Sequence, residues 1–352
     1  MSLAVAALSH APSFGNVDPG GNTFAEITAA IDEVKAFIAD FDPEVIVVFG
    51  PDHFNGQLYS NISPWVVGAQ AEGIGDYGTT EGPIRVDSET ARELHRLVLE
   101  QGIDIGRSER MKVDHGVMQP VNFLFGTEFT QPIIPVFVNS LGIPLTPMNR
   151  VRLMGEAFGR AAQQLDKRVL FIASGGISHD PPIPRWEGAP GTLQERLIDY
   201  APSRDERMAR ENAIVTAIQK IADGGGNSDP LNEEWDTLLL DTFRSGDLTP
   251  ADEWDNSWFL AEGARPHTRC AAGSPRMLRC RPPAPTGSTS ITTGPSRAGP
   301  PASRSRRHAR HDRTVDLLGG HRRPPARPAL RPGGPVAHAR ARDRTAGRFV
   351  DG

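Results

Sequence analysis

The sequence predicts an α/β fold, a single domain with a mostly parallel central sheet flanked by helices, followed by a disordered C-terminal tail. Three observations predict it. Short continuous apolar runs at 45–49, 133–138 and 169–173 stop at Gly, Asn or Ser, as strands covered on both faces do. Longer segments with apolar residues at helical spacing lie between such runs, and that alternation is the grammar of a sheet with covering helices. Finally, the composition changes at residue 264.

The chain has 352 residues and a formal charge of −5, an average over two unlike pieces. Residues 264–352 contain 19 Arg, no Lys, 4 Asp and no Glu, so this stretch carries +15 and leaves −20 on residues 1–263. The same stretch holds 13 of the 31 prolines, both cysteines and one aromatic, Phe349. It buries too little apolar surface to offset chain entropy. Residues 1–263 are ample for one large core-bearing domain. They lack cysteine, which excludes disulfides and thiolate-held metals from the domain. Residues 1–8 have neither the basic leader nor the apolar length of a signal peptide, and no window approaches a membrane span. The expectation is a cytoplasmic protein without a membrane partner, and the acidic body argues against nucleic acid.

In order, 3–8 is a strand ending at Ser9-His10, and Asn22 or Thr23 caps a helix to about 39, with Ile27, Ile31, Val34, Phe37 and Ile38 on its inner side. The strand 45–49 leads through Gly50-Pro-Asp-His53. Residues 60–85 are Gly-rich and read as an irregular substrate-side loop. Ser88 caps a helix to about 101, residues 111–120 read as a polar turn around His115, and a helix spans about 149–165. Segments 202–222, 233–243 and 250–262 read as three amphipathic helices. The strand 169–173 runs into Ser174-Gly-Gly-Ile-Ser-His179-Asp-Pro-Pro182. Gly175 and Gly176 allow the chain to bend, and Pro181 and Pro182 keep it from coiling into a helix.

The body has five histidines. His95 lies mid-helix and reads as packing or surface. His10, His53, His115 and His179 fall at strand ends or turns, and separate strands of one sheet converge at their carboxyl ends, where such folds bind ligands. Asp52 and Asp114 each precede a histidine, placed either to orient a ring or to cap a turn. Two imidazoles and a carboxylate with open positions make the site that non-haem Fe(II) enzymes use for oxygen chemistry. Two further histidines would supply an acid and a base near neutral pH. Residue spacing alone does not divide the four between these tasks.

The motifs Leu8-Ser-His10-Ala-Pro12, Pro51-Asp-His53-Phe-Asn-Gly56, Val113-Asp-His115-Gly-Val-Met-Gln-Pro120 and Ser174-Gly-Gly-Ile-Ser-His179-Asp-Pro-Pro182 together resemble the class III extradiol catechol dioxygenases. The resemblance runs from residue 1 to about 263 and implies a catalytic domain over 1–263. It implies Fe(II) held by His10 and His53, His115 as proton donor, His179 as proton acceptor, and Asp114 and Pro181 in support. It also implies a catechol and O2 as substrates and a homo-oligomer. An acidic ring substituent would want a cationic partner, with Arg150, Lys167 and Arg168 as candidates.

The chain departs from that pattern after Gly263. The family's third ligand, a glutamate in a His-Glu pair, is absent from Gly263-Ala-Arg-Pro-His267-Thr-Arg-Cys270, and the family's closing Tyr-Tyr-Arg-Pro segment is missing. Glu262 has the wrong spacing to replace it. A reading-frame slip accounts for both losses. Codons compatible with 264–273, read two bases on, encode Ala-Pro-Ala-His-Glu-Val-Arg-Cys-Trp, which restores the pair. The expectation is therefore an incomplete catalytic domain with an out-of-frame tail and little activity. The alternatives are a Zn-dependent hydrolase on the same histidines and an inactive metal-site pseudo-enzyme.

Overall fold

The computed structural model describes residues 2–178, 184–223, 225 and 232–263, together with the backbone of 313–314. The strands are β1 (Ser2–Leu8), β2 (Val45–Gly50), β3 (Trp65–Gly68), β4 (Ala71–Ile74), β5 (Glu81–Ile84), β6 (Gly106–Ser108), β7 (Met111–Val113), β8 (Ile133–Val138), β9 (Arg168–Ser174) and β10 (Arg313–Thr314). The helices are α1 (Thr23–Phe41), α2 (Ser88–Glu100), α3 (His115–Phe125), α4 (Met148–Gln164), α5 (Gly191–Ile198), α6 (Arg204–Ala222), α7 (Glu233–Ser245) and α8 (Asn256–Gly263).

The main sheet runs β10-β1-β9-β2-β8-β3-β6. Its pairings are parallel except for β3 against β8, so the mostly parallel sheet expected from the apolar runs is present. A smaller sheet runs β5-β4-β7. Alternation along the strands supplies both faces of the main sheet, because successive side chains point to opposite sides. Ile46 and Val48 join Ile31, Val34 and Ile38 of α1 and Val117, Met118 and Val121 of α3. Val45 and Val47 join Leu94 and Leu97 of α2 and Met154, Ala157 and Phe158 of α4 on the other. A third, small cluster holds Trp235 and Leu239 of α7 with Trp254.

Local structure differs from the sequence reading in several places. The segment 250–262, read as one amphipathic helix, is a 3-10 turn at Thr249–Glu253 followed by α8, and α6, read as amphipathic, buries no residue. The helix read from Ser88 is capped by Asp87, whose carboxylate accepts from Thr90 N–H. The supposed loop at 60–85 contains β3, β4 and β5 and a single 3-10 turn at Asp76–Gly78. Its strands were hidden by their four-residue length and by internal glycines. The supposed polar turn at 111–120 is β7 followed directly by α3, with Asp114 as the N-cap accepting from Gly116 N–H at 2.8 Å.

Register sets where the functional loops emerge. β9 lies between β1 and β2, with Leu8 beside Ser174 and Phe49 beside Ala173. The loops after β1 and β2 therefore leave the same edge of the sheet, flanking the end of β9. This is the carboxyl edge, where open α/β sheets bind their ligands.

Candidate metal centre and active site

His10 and His53 stand a few residues beyond β1 and β2, and α3 brings His115 in from beneath. Their ring centroids are 5.2 Å apart for His10–His53, 5.7 Å for His10–His115 and 4.2 Å for His53–His115. The ligating atoms of all three lie within 4.8 Å of one another. This approach needs glycine at two positions. A Cβ on Gly50 would stand 2.7 Å from the Gly116 carbonyl oxygen, and one on Gly116 would stand 2.6 Å from that of Pro51.

Each ring has a partner on Nδ1. Ser174 Oγ lies 3.0 Å from His10 Nδ1 and donates its own proton to the Gly116 carbonyl at 2.5 Å. It therefore accepts from His10, which assigns the proton to Nδ1 and the lone pair to Nε2. Asp114 Oδ2 accepts from His53 Nδ1 at 3.0 Å, from the His53 backbone N–H at 2.7 Å and from Asn55 Nδ2 at 2.9 Å. His115 Nδ1 lies 2.5 Å from Asp76 Oδ2. Imidazoles that bind metal through one nitrogen are held in this manner at the other. The donor chemistry of His10 and His53 therefore fits a divalent ion such as Fe(II).

Electrostatics differ sharply between two adjacent buried carboxyls. Burial works to raise Asp114, but His53 and His115 beside it and the donors from His53 and Asn55 hold it far below the ordinary range. Asp52 is pushed up to about 8, first by burial and then by the Asp114 charge, against backbone N–H donors from Gln57, Gly56 and Asn55. For His115 burial opposes the charged ring, yet Asp114 and Asp76 outweigh it and raise the pKa. Burial, with Asp76 and Glu211 nearby, pushes the Tyr77 phenol up to about 12, and its ring meets His115 edge-on at 4.8 Å.

Of the residues expected at the site, His10, His53, His115 and Asp114 come together. Asp114 holds His53 and caps α3, whereas the orienting partner of His115 is Asp76. Asp52 is a turn cap. His179 and Pro181 lie outside the described residues. The chain leading to them is fixed as far as Ser178, whose N–H and hydroxyl bond Asp236 of α7 at 2.9 and 2.7 Å. His95 is a packing residue, its Nε2 3.1 Å from the Ile105 carbonyl. Lys167 and Arg168 lie at the opposite, amino end of β9, where they pair with Asp87 and with Asp42 and Glu44.

Among the described residues, the sets of three grouped ligating side chains are His10, His53, His115 and Asp76, Asp114, His115. Glu262 belongs to neither, and its carboxylate accepts from Asn232 Nδ2. Sequence reasoning missed Asp76, Tyr77, Asn55 and Ser174. The available signal for the first two was the turn sequence Gly75-Asp-Tyr-Gly78.

A relative from Rhodococcus sp, named 2,3-dihydroxyphenylpropionate/2,3-dihydroxicinnamic acid 1,2-dioxygenase, is 49% identical over 263 residues, covering 74% of this chain and 84% of the relative. Relatives with the same name from Rhodococcus jostii (strain RHA1) and Mycolicibacterium gilvum (strain PYR-GCK) are 46% and 44% identical, each over 74% of this chain, covering 84% and 83% of the relative. A solved structure of an uncharacterized Escherichia coli K12 protein shares 16% identity at a TM-score of 0.28, over 53% of this chain and 78% of that one. The family model described as the catalytic LigB subunit of aromatic ring-opening dioxygenase matches residues 4–271, and the chain belongs to that family.

Proposed function

We propose that residues 1–263 form the body of an extradiol dioxygenase acting on 3-(2,3-dihydroxyphenyl)propionate and its cinnamate analogue. The ring bond between the carbon bearing the side chain and the adjacent hydroxylated carbon breaks, and both atoms of O2 enter the product, 2-hydroxy-6-oxonona-2,4-dienedioate. The observation that carries this reading is the pair of imidazoles at the carboxyl ends of β1 and β2, each with Nδ1 occupied, beside a third buried imidazole. The relatives' names supply the ring substituent.

His10 and His53 would hold Fe(II) through Nε2. Bound iron supplies positions for the catechol oxygens and for O2 and a path for electrons between them. His179 is assigned as the base that takes a catechol hydroxyl proton. His115 is assigned as the acid that returns a proton to the departing oxygen. The buried walls around His10, His115 and Asp114 keep bulk water from competing for that proton. From its composition we infer a cytoplasmic enzyme, and the family resemblance implies a homo-oligomer.

The tail at 264–352 we read as out of frame. The curated relatives align over 263 residues, 84% of their own length, and the described residues bring no carboxylate to His10 and His53 as a set of three. The chain as written should therefore retain iron poorly. The test is to sequence the gene across codons 255–300, then assay both the chain as written and a frame-restored one with Fe(II), O2 and the catechol. A yellow ring-fission product from the restored chain, requiring both Fe(II) and O2, is the expected result, with little from the chain as written. Absence of product from both overturns the reading, and O2-independent hydrolysis supported by Zn(II) favours the hydrolase instead.

A further inference from the structure

The site contains a second carboxylate–imidazole pair that the sequence motifs do not include. We propose that the turn at 75–78 is the positioning element of the proton donor, with Asp76 as the acceptor that decides which nitrogen of His115 faces the substrate. This rests on the reading of His115 as proton donor.

The geometry is specific. Asp76 and His115 are 2% and 5% exposed, and the Oδ2–Nδ1 separation is 2.5 Å. With Asp76 Oδ2 as acceptor, Nδ1 keeps its proton whether the ring is neutral or charged, so the proton that His115 gives up is the one on Nε2, which faces the chemistry. His115 sits in the first turn of α3, so its backbone is fixed by the Asp114 cap. The remaining freedom is rotation of the ring, and Asp76 removes it.

The turn itself is built to hold that carboxylate. Gly75, Tyr77 and Gly78 all have positive φ, at 73°, 48° and 75°, and a tyrosine tolerates this region only when its surroundings enforce it. Here the enforcement is visible. The Tyr77 N–H donates to Glu211 Oε2 of α6 at 2.9 Å. Thr79 Oγ1 donates to the Asp76 carbonyl at 2.8 Å and approaches Asp76 Oδ1 at 3.3 Å. The strained residue then lays its ring edge against His115 at 4.8 Å, so adjacent turn residues hold the imidazole at its Nδ1 and across its face.

The experiment compares the full-length chain with its Asp76→Asn variant, both 15N-labelled at histidine and with paramagnetic metal removed by chelation. His115 resonances are identified by their loss in His115→Gln. An asparagine presents either an oxygen or an NH2 to Nδ1, so the expected result is loss of the single Nδ1–H signature of His115, with the His10 and His53 signals unmoved. Thr79→Val is a milder variant for the case in which Asp76→Asn does not fold, and it should produce a smaller shift in the same resonances. In the frame-restored enzyme, kcat for Asp76→Asn should fall on the order of 10²-fold, the lower end of what general acid catalysis contributes, with KM and iron content unchanged and partial recovery in Asp76→Glu. Unmoved His115 resonances in the folded variant overturn the inference, as does a fall in iron content that matches the fall in kcat. Moved resonances in a restored chain that never cleaves the catechol overturn the assigned function and leave the positioning role standing.

Discussion

The parallel-sheet body and the helices that follow it are held by different forces. In the body, α2 and α4 each bury five residues against the sheet, and Phe158, Val47 and Ile172 are fully enclosed. In the later part, the 19-residue α6 buries none, and α7 buries only Trp235 and Leu239. Yet α6 and α7 reach the site through polar contacts, Glu211 to the Tyr77 N–H and Asp236 to Ser178. The body thus fixes the backbone that carries the histidines by packing, whereas the outer helices hold the surrounding turns by a few hydrogen bonds to carboxylates, each worth about 1.5–3 kcal/mol net.

This contrast is open to direct attack. Phe158→Ala, in the core between α4 and the sheet, should lower unfolding free energy by about 3–5 kcal/mol, read by chemical denaturation; a loss below 1 kcal/mol would mean the body is not the rigid half. Asp114→Asn removes the carboxylate that accepts from His53 and should weaken Fe(II) binding about 10–100-fold, measured by chelator competition. Unaltered affinity would show that packing alone aims that ring.

The Asp52 carboxyl gives a pH test of the same buried corner. Its folded pKa is raised from the ordinary 3.8 to about 8, so across that window the folded chain keeps a proton that the unfolded chain has released. Stability of the metal-free chain should therefore fall as pH rises through the window. Asp52→Asn, with no proton to lose, should flatten the profile measured in urea at pH 5 and pH 8; an undiminished slope contradicts the assignment. The smallest effect belongs to the outer helices. Met208→Ala on α6, 47% exposed, should change stability by no more than about 0.5 kcal/mol, and a larger loss would reveal burial that α6 does not have in this structure.

The parts that were legible in the sequence are those where local pattern and tertiary environment agree. Buried strands such as Ile133–Val138 announce themselves because both faces are covered and every residue is apolar. The placement of His10 and His53 followed from strand ends alone. What stayed hidden depended on distance along the chain. Asp76 lies 39 residues from His115, and its turn sits in a glycine-rich run whose strands β4 and β5 are each four residues long. Asp114 shows where adjacency leaves off. The sequence left open whether it orients a ring or caps a turn; it caps its own helix and also holds a ring, that of His53, leaving its neighbour His115 to a residue from another segment.

The crossing of Gly50 and Gly116 has a consequence for how such a site can be tuned. Where one backbone rides against another without side chains between them, the spacing of His53 and His115 is set by atoms that take no part in the chemistry. A lone methyl at either crossing point would act as a shim, prying the two loops apart and widening the gap between imidazoles without altering either one.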